Sequence, residues 1–486
     1  MSSQNNTQIK DTESPPLAEL LAEPIPIEEI RDYSSPKRIK SIDAVKGFAI
    51  IFIIIAHTGG AWLDNDWIYV YGMVYVALDM LGPSLFVFLS ALSVIFSIRS
   101  KRGKLPNRVI RNRIFSRGLS IIVIGMLYNL FGLSIVRPDI PFPLNLWGWN
   151  ILMFIGFSQI FSYYGLKLKK YLRAILGVGI ILISPMLREY LYLNKDTNVG
   201  VFIIHFIITS PTPELTLFPW ISVCFISSIF GESLYEAMID GSEEAYRKLF
   251  KLFLAWGIIF IVTGLVLGWQ LQTPETMVES EYPHLRLYSY INRQDYYRFQ
   301  GLPEFMIRGT IGNMFYNLGG ALLIIGIWFY IIDIKKKDND FTKMLIYYGK
   351  ISLSLFLVHY IFLPLYTGQF SIIFFPLICL AYIGFMGFFM YIWNEYGNGV
   401  GSPEWIMVQI SRIGQKTGET VKKEVREAGI VIKEVKDTII KEVKETKEFI
   451  AKETKKIKEK TKESLKKLEE LIKKDEKSEL DETEGS

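Results

Sequence analysis

Between about residue 42 and residue 394 the chain alternates apolar runs with short polar joints, and each run is ~20 residues long, enough to cross a bilayer. The runs are 42–62, 80–98, 114–135, 146–165, 171–190, 217–238, 249–270, 307–333, 344–366 and 371–394. They predict an all-α, polytopic membrane protein of about ten transmembrane helices. The two flanks are different material. Residues 1–36 are acidic and Pro-rich with no apolar run, and are expected to be a disordered cytosolic tail. The transmembrane domain is expected over 37–400, and a charged helical tail over 401–486. In that tail Val421, Val425, Ala428, Ile432, Val435 and Ile439 recur at a four-three-four-three-four spacing. This predicts an amphipathic or coiled-coil cytosolic helix. Three uses follow for it: a solvated tail, a homo-oligomer seam, or a helix lying on anionic lipid.

Charge orients the spans. Lys37, Arg38 and Lys40 precede the first, and every even-numbered exit is basic. Lys101, Arg108, Arg111, Arg113 and Arg117 follow the second run, Lys167 and Lys170 the fourth, Arg247 and Lys248 the sixth, and Lys335 to Lys337 the eighth. The positive-inside rule then puts both termini in the cytosol, and a cell membrane is the expected location. The chain has 486 residues, half of them hydrophobic, and a net charge of +5, so the distribution of charge informs more than its sum. Cys224 and Cys379 sit within apolar runs and read as packing residues. Metal-ligand spacing, phosphate-binding glycine loops, a nucleophile elbow and nucleic-acid-binding signatures are not found.

The first run carries Lys46 and His57 in its interior, eleven residues apart. At 100° per residue that spacing returns to the same stripe of a helix, ~16 Å further along its axis. Ionisable groups inside a span face the protein interior and mark function. A neutral imidazole in a water-poor cavity can take a proton from an alcohol or amine, which makes His57 the candidate base. Lys46 and Asp43 are three apart and can pair, either anchoring the helix at the interface or meeting an anionic substrate group. Arg108, Arg111, Arg113 and Arg117 satisfy the positive-inside rule, and as arginines they also suit planar recognition of phosphate on a cytosolic cofactor. Asp79 precedes Gly82-Pro83 and is expected either to face the cavity around His57 and orient the imidazole or the acceptor, or to cap the helix. His359 is expected either to share the cavity of His57 or to pack.

These residues resemble a family. Arg38-Ile-Lys-Ser-Ile-Asp43-Ala-Val-Lys46-Gly47, followed by His57-Thr-Gly-Gly60, is similar to the opening of the transmembrane acyltransferases, nearest the heparan-alpha-glucosaminide N-acetyltransferase-like branch. It also resembles the acyltransferase 3 family, whose first helix has an arginine and, eleven residues on, a histidine. Asp79-Met-Leu-Gly-Pro83-Ser-Leu-Phe86, Arg111 with Arg113, Trp149 through Gly156, Phe218-Pro219-Trp220 and Gly349 through Tyr360 extend the likeness over residues 37–394. The resemblance implies acyl-CoA, acetyl-CoA first, as a cytosolic co-substrate. It implies a glycan or glycolipid acceptor on the far side of the membrane and acyl transfer to its hydroxyl or amine. It makes His57 the catalytic base and puts the positions of Lys46, Arg111 and Arg113 at the CoA end. Two positions depart from the pattern. Lys46 stands for the usual arginine, and the heparan branch has an asparagine where His57 stands, with its histidine in the next loop. Residues 61–79 hold no histidine, so the base falls on His57. The rival reading is a proton-coupled transporter or flippase, which also uses buried Lys, His and Asp.

Overall fold

The structure is a computed structural model that describes residues 39–101, 107–136, 140–209, 215–294, 298–413 and scattered positions between 433 and 462. The fold is helical throughout its core, and each of the ten apolar runs becomes helix. The helices are α1 (Lys40–Trp62), α2 (Ile68–Leu78), α3 (Pro83–Lys101), α4 (Asn107–Val136), α5 (Ile151–Gly165), α6 (Lys170–Asn194), α7 (Val199–Ile208), α8 (Leu217–Asp240), α9 (Glu243–Leu267), α10 (Arg286–Ile291), α11 (Ile311–Phe329), α12 (Asp340–Lys350), α13 (Ser352–Phe362), α14 (Phe375–Tyr396) and α15 (Pro403–Ile413). A two-residue antiparallel ladder, Leu271–Gln272 with Leu302–Pro303, closes the long segment between α9 and α11.

Eight helices among the described residues are individually long and apolar enough to cross a membrane, and a bent pair makes a ninth. Three details depart from ten simple spans, each for a local reason. Helix α2 runs into α3 through one tight turn, Asp79–Leu81, so Asp79 sits at a joint within the span Ile68–Arg99 rather than at its start. Helix α5 has only 15 residues because Asn150 caps it, its Oδ1 accepting the N–H groups of Leu152 and Met153. The run 344–366 breaks at Ile351 into α12 and α13, bent by 84°.

Helix α1 is the axis of the bundle: Ala44, Val45, Ala49, Ile50 and Ile54 are fully buried. It packs against α12 at van der Waals limit. A Cβ at Gly47 would run into the backbone of Leu345, and one at Gly349 into the carbonyl of Asp43. Lys40 pairs with Asp338 at 3.7 Å, which brings the start of α1 and the exit of α11 to the same, basic end of the bundle. Helix α15 belongs to this compact unit: Trp405 and Gln409 are buried in it. The described tail positions between 433 and 462 are helical, with Lys441 and Glu445 paired at 3.9 Å. The six apolar repeat positions from Val421 to Ile439, and residues 1–36, lie outside the described residues.

Candidate active site

A cavity of about 210 Å³ opens at the basic end. Four helices build its walls through residues at helical spacing. Asp43 and Lys46 come from α1, and Ser90, Ser93, Ser97 and Lys101 form a stripe down α3. From α4 come Ile110, Arg113, Ile114, Arg117 and Ile121, and from α5 Ile155 and Gln159. The α12–α13 joint adds Lys350 to Leu353, and α15 adds Glu404. Along α3 the lining runs from Lys101 to Phe86, fifteen residues or ~22 Å.

The charges of this cavity are lopsided. Lys46, Lys101, Arg113, Arg117 and Lys350 face two carboxylates, Asp43 and Glu404. Burial pushes the Lys101 ammonium down to about 8, and the guanidinium charges of Arg113 and Arg117 add to the effect. Cations crowded enough to depress one another are a standing site for a multiply charged anion. Arg108 and Arg111 do not take part: both are exposed and lie outside the cavity wall. Of the four sequence-predicted arginines, the fold therefore brings Arg113 and Arg117 together with Lys46. Lys101 and Lys350 come from elements whose proximity no local pattern announces.

His57 lies deeper on the stripe of α1 that carries Lys46. It is partly buried, and the Tyr360 hydroxyl stands 3.0 Å from its Nε2 and 3.2 Å from its Nδ1. The His359 ring lies 5.3 Å away between centroids. His359 donates from Nδ1 to the carbonyl of Leu355 at 3.0 Å, which leaves a lone pair on Nε2. That nitrogen is fully buried and meets no hydrogen-bond partner among the described residues. Tyr382 donates to the His359 carbonyl at 2.6 Å and fixes this turn. Around His57 the backbone is held by Thr58, whose hydroxyl donates to the Ile54 carbonyl at 2.9 Å, and by Trp62, which donates to the Leu363 carbonyl at 2.8 Å. A Cβ at Gly59 would come within 2.9 Å of the Tyr71 ring, so α2 seats directly on this end of α1.

Asp79 forms its own cluster. Arg308 donates to its Oδ1 from Nε at 3.1 Å and again from Nη2, while Nη2 also reaches the Tyr75 hydroxyl at 3.0 Å. Asn317 donates to Oδ2 at 3.3 Å. His284 Nε2 is 4.0 Å from Asp79, and burial pushes this histidine down to about 4; the Asp79 charge opposes that fall and the Arg308 charge adds to it. No hydrogen bond joins Asp79 to His57. The Asp79 carboxylate is instead taken up by Arg308 and Asn317, so the expected orienting contact to His57 is not made. Arg308 is a functional candidate that the fold reveals. Its signal was a lone arginine at the start of the 307–333 run, at the end of the bundle opposite the basic exits.

The fold and its buried charges define a multi-pass membrane protein with a polybasic cavity at one end and a histidine–tyrosine cluster within its core. Residues 38–266 match the family model described as heparan-alpha-glucosaminide N-acetyltransferase, catalytic, so this part of the chain is similar to that family. No curated protein matches the chain. The matched segment carries Asp43, Lys46, His57, Asp79, Arg113 and Arg117, whereas Arg308, Lys350, His359, Tyr360 and Glu404 lie beyond it.

Proposed function

We propose that the protein moves an acyl group, acetyl first among them, from acyl-CoA to a hydroxyl or amine of a sugar-containing acceptor, with His57 as general base. The observation that carries this reading is the polybasic cavity, whose cations converge from four separate elements. The phosphates of the donor bind among Lys46, Lys101, Arg113, Arg117 and Lys350, and the amide-bearing arm follows the serine stripe of α3 inward. Ser90 lies eleven residues, ~16 Å along α3, from Lys101, the same axial span that separates His57 from Lys46 along α1. The acceptor heteroatom then attacks the thioester carbonyl as His57 takes its proton. The carbon–sulfur bond breaks, and the protonated His57 returns the proton to the departing thiolate. Tyr360, hydrogen-bonded to the imidazole, holds the ring for both transfers. The positive-inside pattern supports a cytosolic donor face, both termini cytosolic, and an acceptor approaching from the other side of a cell membrane.

The test is calorimetric binding of acetyl-CoA to the detergent-purified protein. Wild type is expected to bind at micromolar Kd. Arg113→Ala/Arg117→Ala is expected to weaken binding by ~10-fold or more through loss of two charge-assisted contacts. Arg108→Ala/Arg111→Ala, outside the cavity, should leave it unchanged. Absence of CoA binding by folded protein overturns the reading, and a requirement for a proton gradient would then favour a carrier.

A further inference from the structure

Helix α13 carries both His359 and Tyr360, yet it starts without a cap of its own. Ile351 stands at the N-cap and supplies no side-chain acceptor. The acceptor comes instead from fifty residues further along the chain. Glu404 Oε1 accepts the backbone N–H of Ser354 at 2.9 Å, and Oε2 accepts the Ser354 hydroxyl. Ser354 is the third residue of the helix, the position whose N–H a capping side chain normally satisfies. Burial pushes the Glu404 carboxyl up, while the Ser354 hydrogen bonds oppose that rise, so the cap rests on the two acceptor oxygens.

The arrangement matters because α13 is short and its first-turn N–H groups must find partners outside the helix, although Leu355 and Phe356 pack into the core. It has eleven residues, and the 84° bend at Ile351 separates it from α12. Short helices depend on their caps and packing rather than on their own hydrogen-bond ladder. Tyr360 lies six residues after Ser354, ~9 Å along the axis, so a slip or fraying of the first turn reaches the histidine cluster. Glu404 is itself well anchored. Ser402 Oγ accepts the N–H of Trp405 at 3.1 Å, and Trp405 and Gln409 are buried. Glu404 also stands in the wall of the polybasic cavity that Lys350 lines.

We propose that Glu404 is a positioning residue: it caps α13 from α15 and thereby sets Tyr360 and His359 against His57. The cap and the donor cavity share one wall, so the element that follows the last span is part of the catalytic apparatus. The kinetic half of this inference rests on the acyltransferase reading; the structural half does not.

The experiment is amide hydrogen exchange on the full chain in detergent, read by mass spectrometry, beside steady-state kinetics with acetyl-CoA. Glu404→Ala is expected to speed exchange in 352–362 by ~10-fold while α14 keeps its protection, in line with loss of a helix cap. Glu404→Gln keeps an acceptor oxygen and should recover most of that protection. In kinetics, kcat falls with the cap and returns with Gln, while the acetyl-CoA KM stays within about threefold, as for an interaction that aligns catalytic groups rather than binding donor. Unchanged exchange in 352–362 overturns the proposal. So does loosening spread evenly over the bundle, or a raised KM at constant kcat. If Glu404→Ala does not fold, Ser354→Ala removes the hydroxyl partner alone and must loosen the same segment more mildly. A wild type without transfer activity defeats the acyltransferase reading and leaves the exchange result to decide the cap.

Discussion

The two ends of the bundle treat charge in opposite ways. At the basic end, five cations share a cavity with two carboxylates. At the other end, Asp79 meets Arg308 one for one, with Tyr75 and Asn317 completing the hydrogen bonds. Nearby, Glu281 contacts both Arg188 at 3.8 Å and His205 at 3.0 Å. An excess of one sign around an open volume awaits a ligand, whereas balanced charge in a closed volume holds elements together. Both clusters join segments far apart in sequence, and the first surrounds a cavity of about 210 Å³.

Three experiments sharpen this contrast, the largest effect first. His57 stands between the two ends, and His57→Ala should lower transfer by about 10²- to 10⁴-fold, the usual worth of a positioned general base, with acetyl-CoA affinity by calorimetry unchanged. Full activity in the variant would remove His57 from the mechanism. Next comes the closed end. Arg308→Met leaves Asp79 as an uncompensated buried charge and should cost about 3–5 kcal/mol, seen as a lower unfolding temperature in detergent. Asp79→Asn combined with it should recover part of that loss; a variant as stable as wild type would mean that the pair holds nothing. The open end gives the smallest effect, a pH dependence. Lys101 titrates at about 8, so it is charged below that value and neutral above it. Donor affinity should therefore weaken by ~2- to 10-fold between pH 7 and 9, as one cation of five is lost. Lys101→Arg should flatten the profile, and a profile independent of pH in wild type would place Lys101 outside donor binding.

Much of this architecture was legible in the chain, and the parts that were not share a cause. Lys46 and His57 fall on one stripe because both lie on a single helix, and the spacing alone is enough. The apolar runs all became helix for the same reason. The cap at Asn150 was readable in principle from an amide-bearing residue before an apolar run, and it shortens α5. By contrast, the partner of Asp79 lies 229 residues away, and the cap of α13 lies fifty residues on. No periodicity links such pairs. Among the four arginines, the period of α4 turns Arg113 and Arg117 inward and Arg108 and Arg111 outward, but which face is inward depends on where α1 and α3 pack. Charge counting alone gave all four equal weight.

The seam at Gly47 and Gly349 sets which parts of the molecule can breathe. With backbone packed on backbone, α1 and α12 form one stiff plate that carries Lys46 and Lys350. Arg113 and Arg117 ride on the facing wall, on α4. Any widening that lets a bulky, highly charged molecule in, or its spent form out, must come from that facing side. If departure of the spent molecule limits turnover, the clock of this protein is the compliance of α3, α4 and α15 rather than the proton transfer proposed for His57.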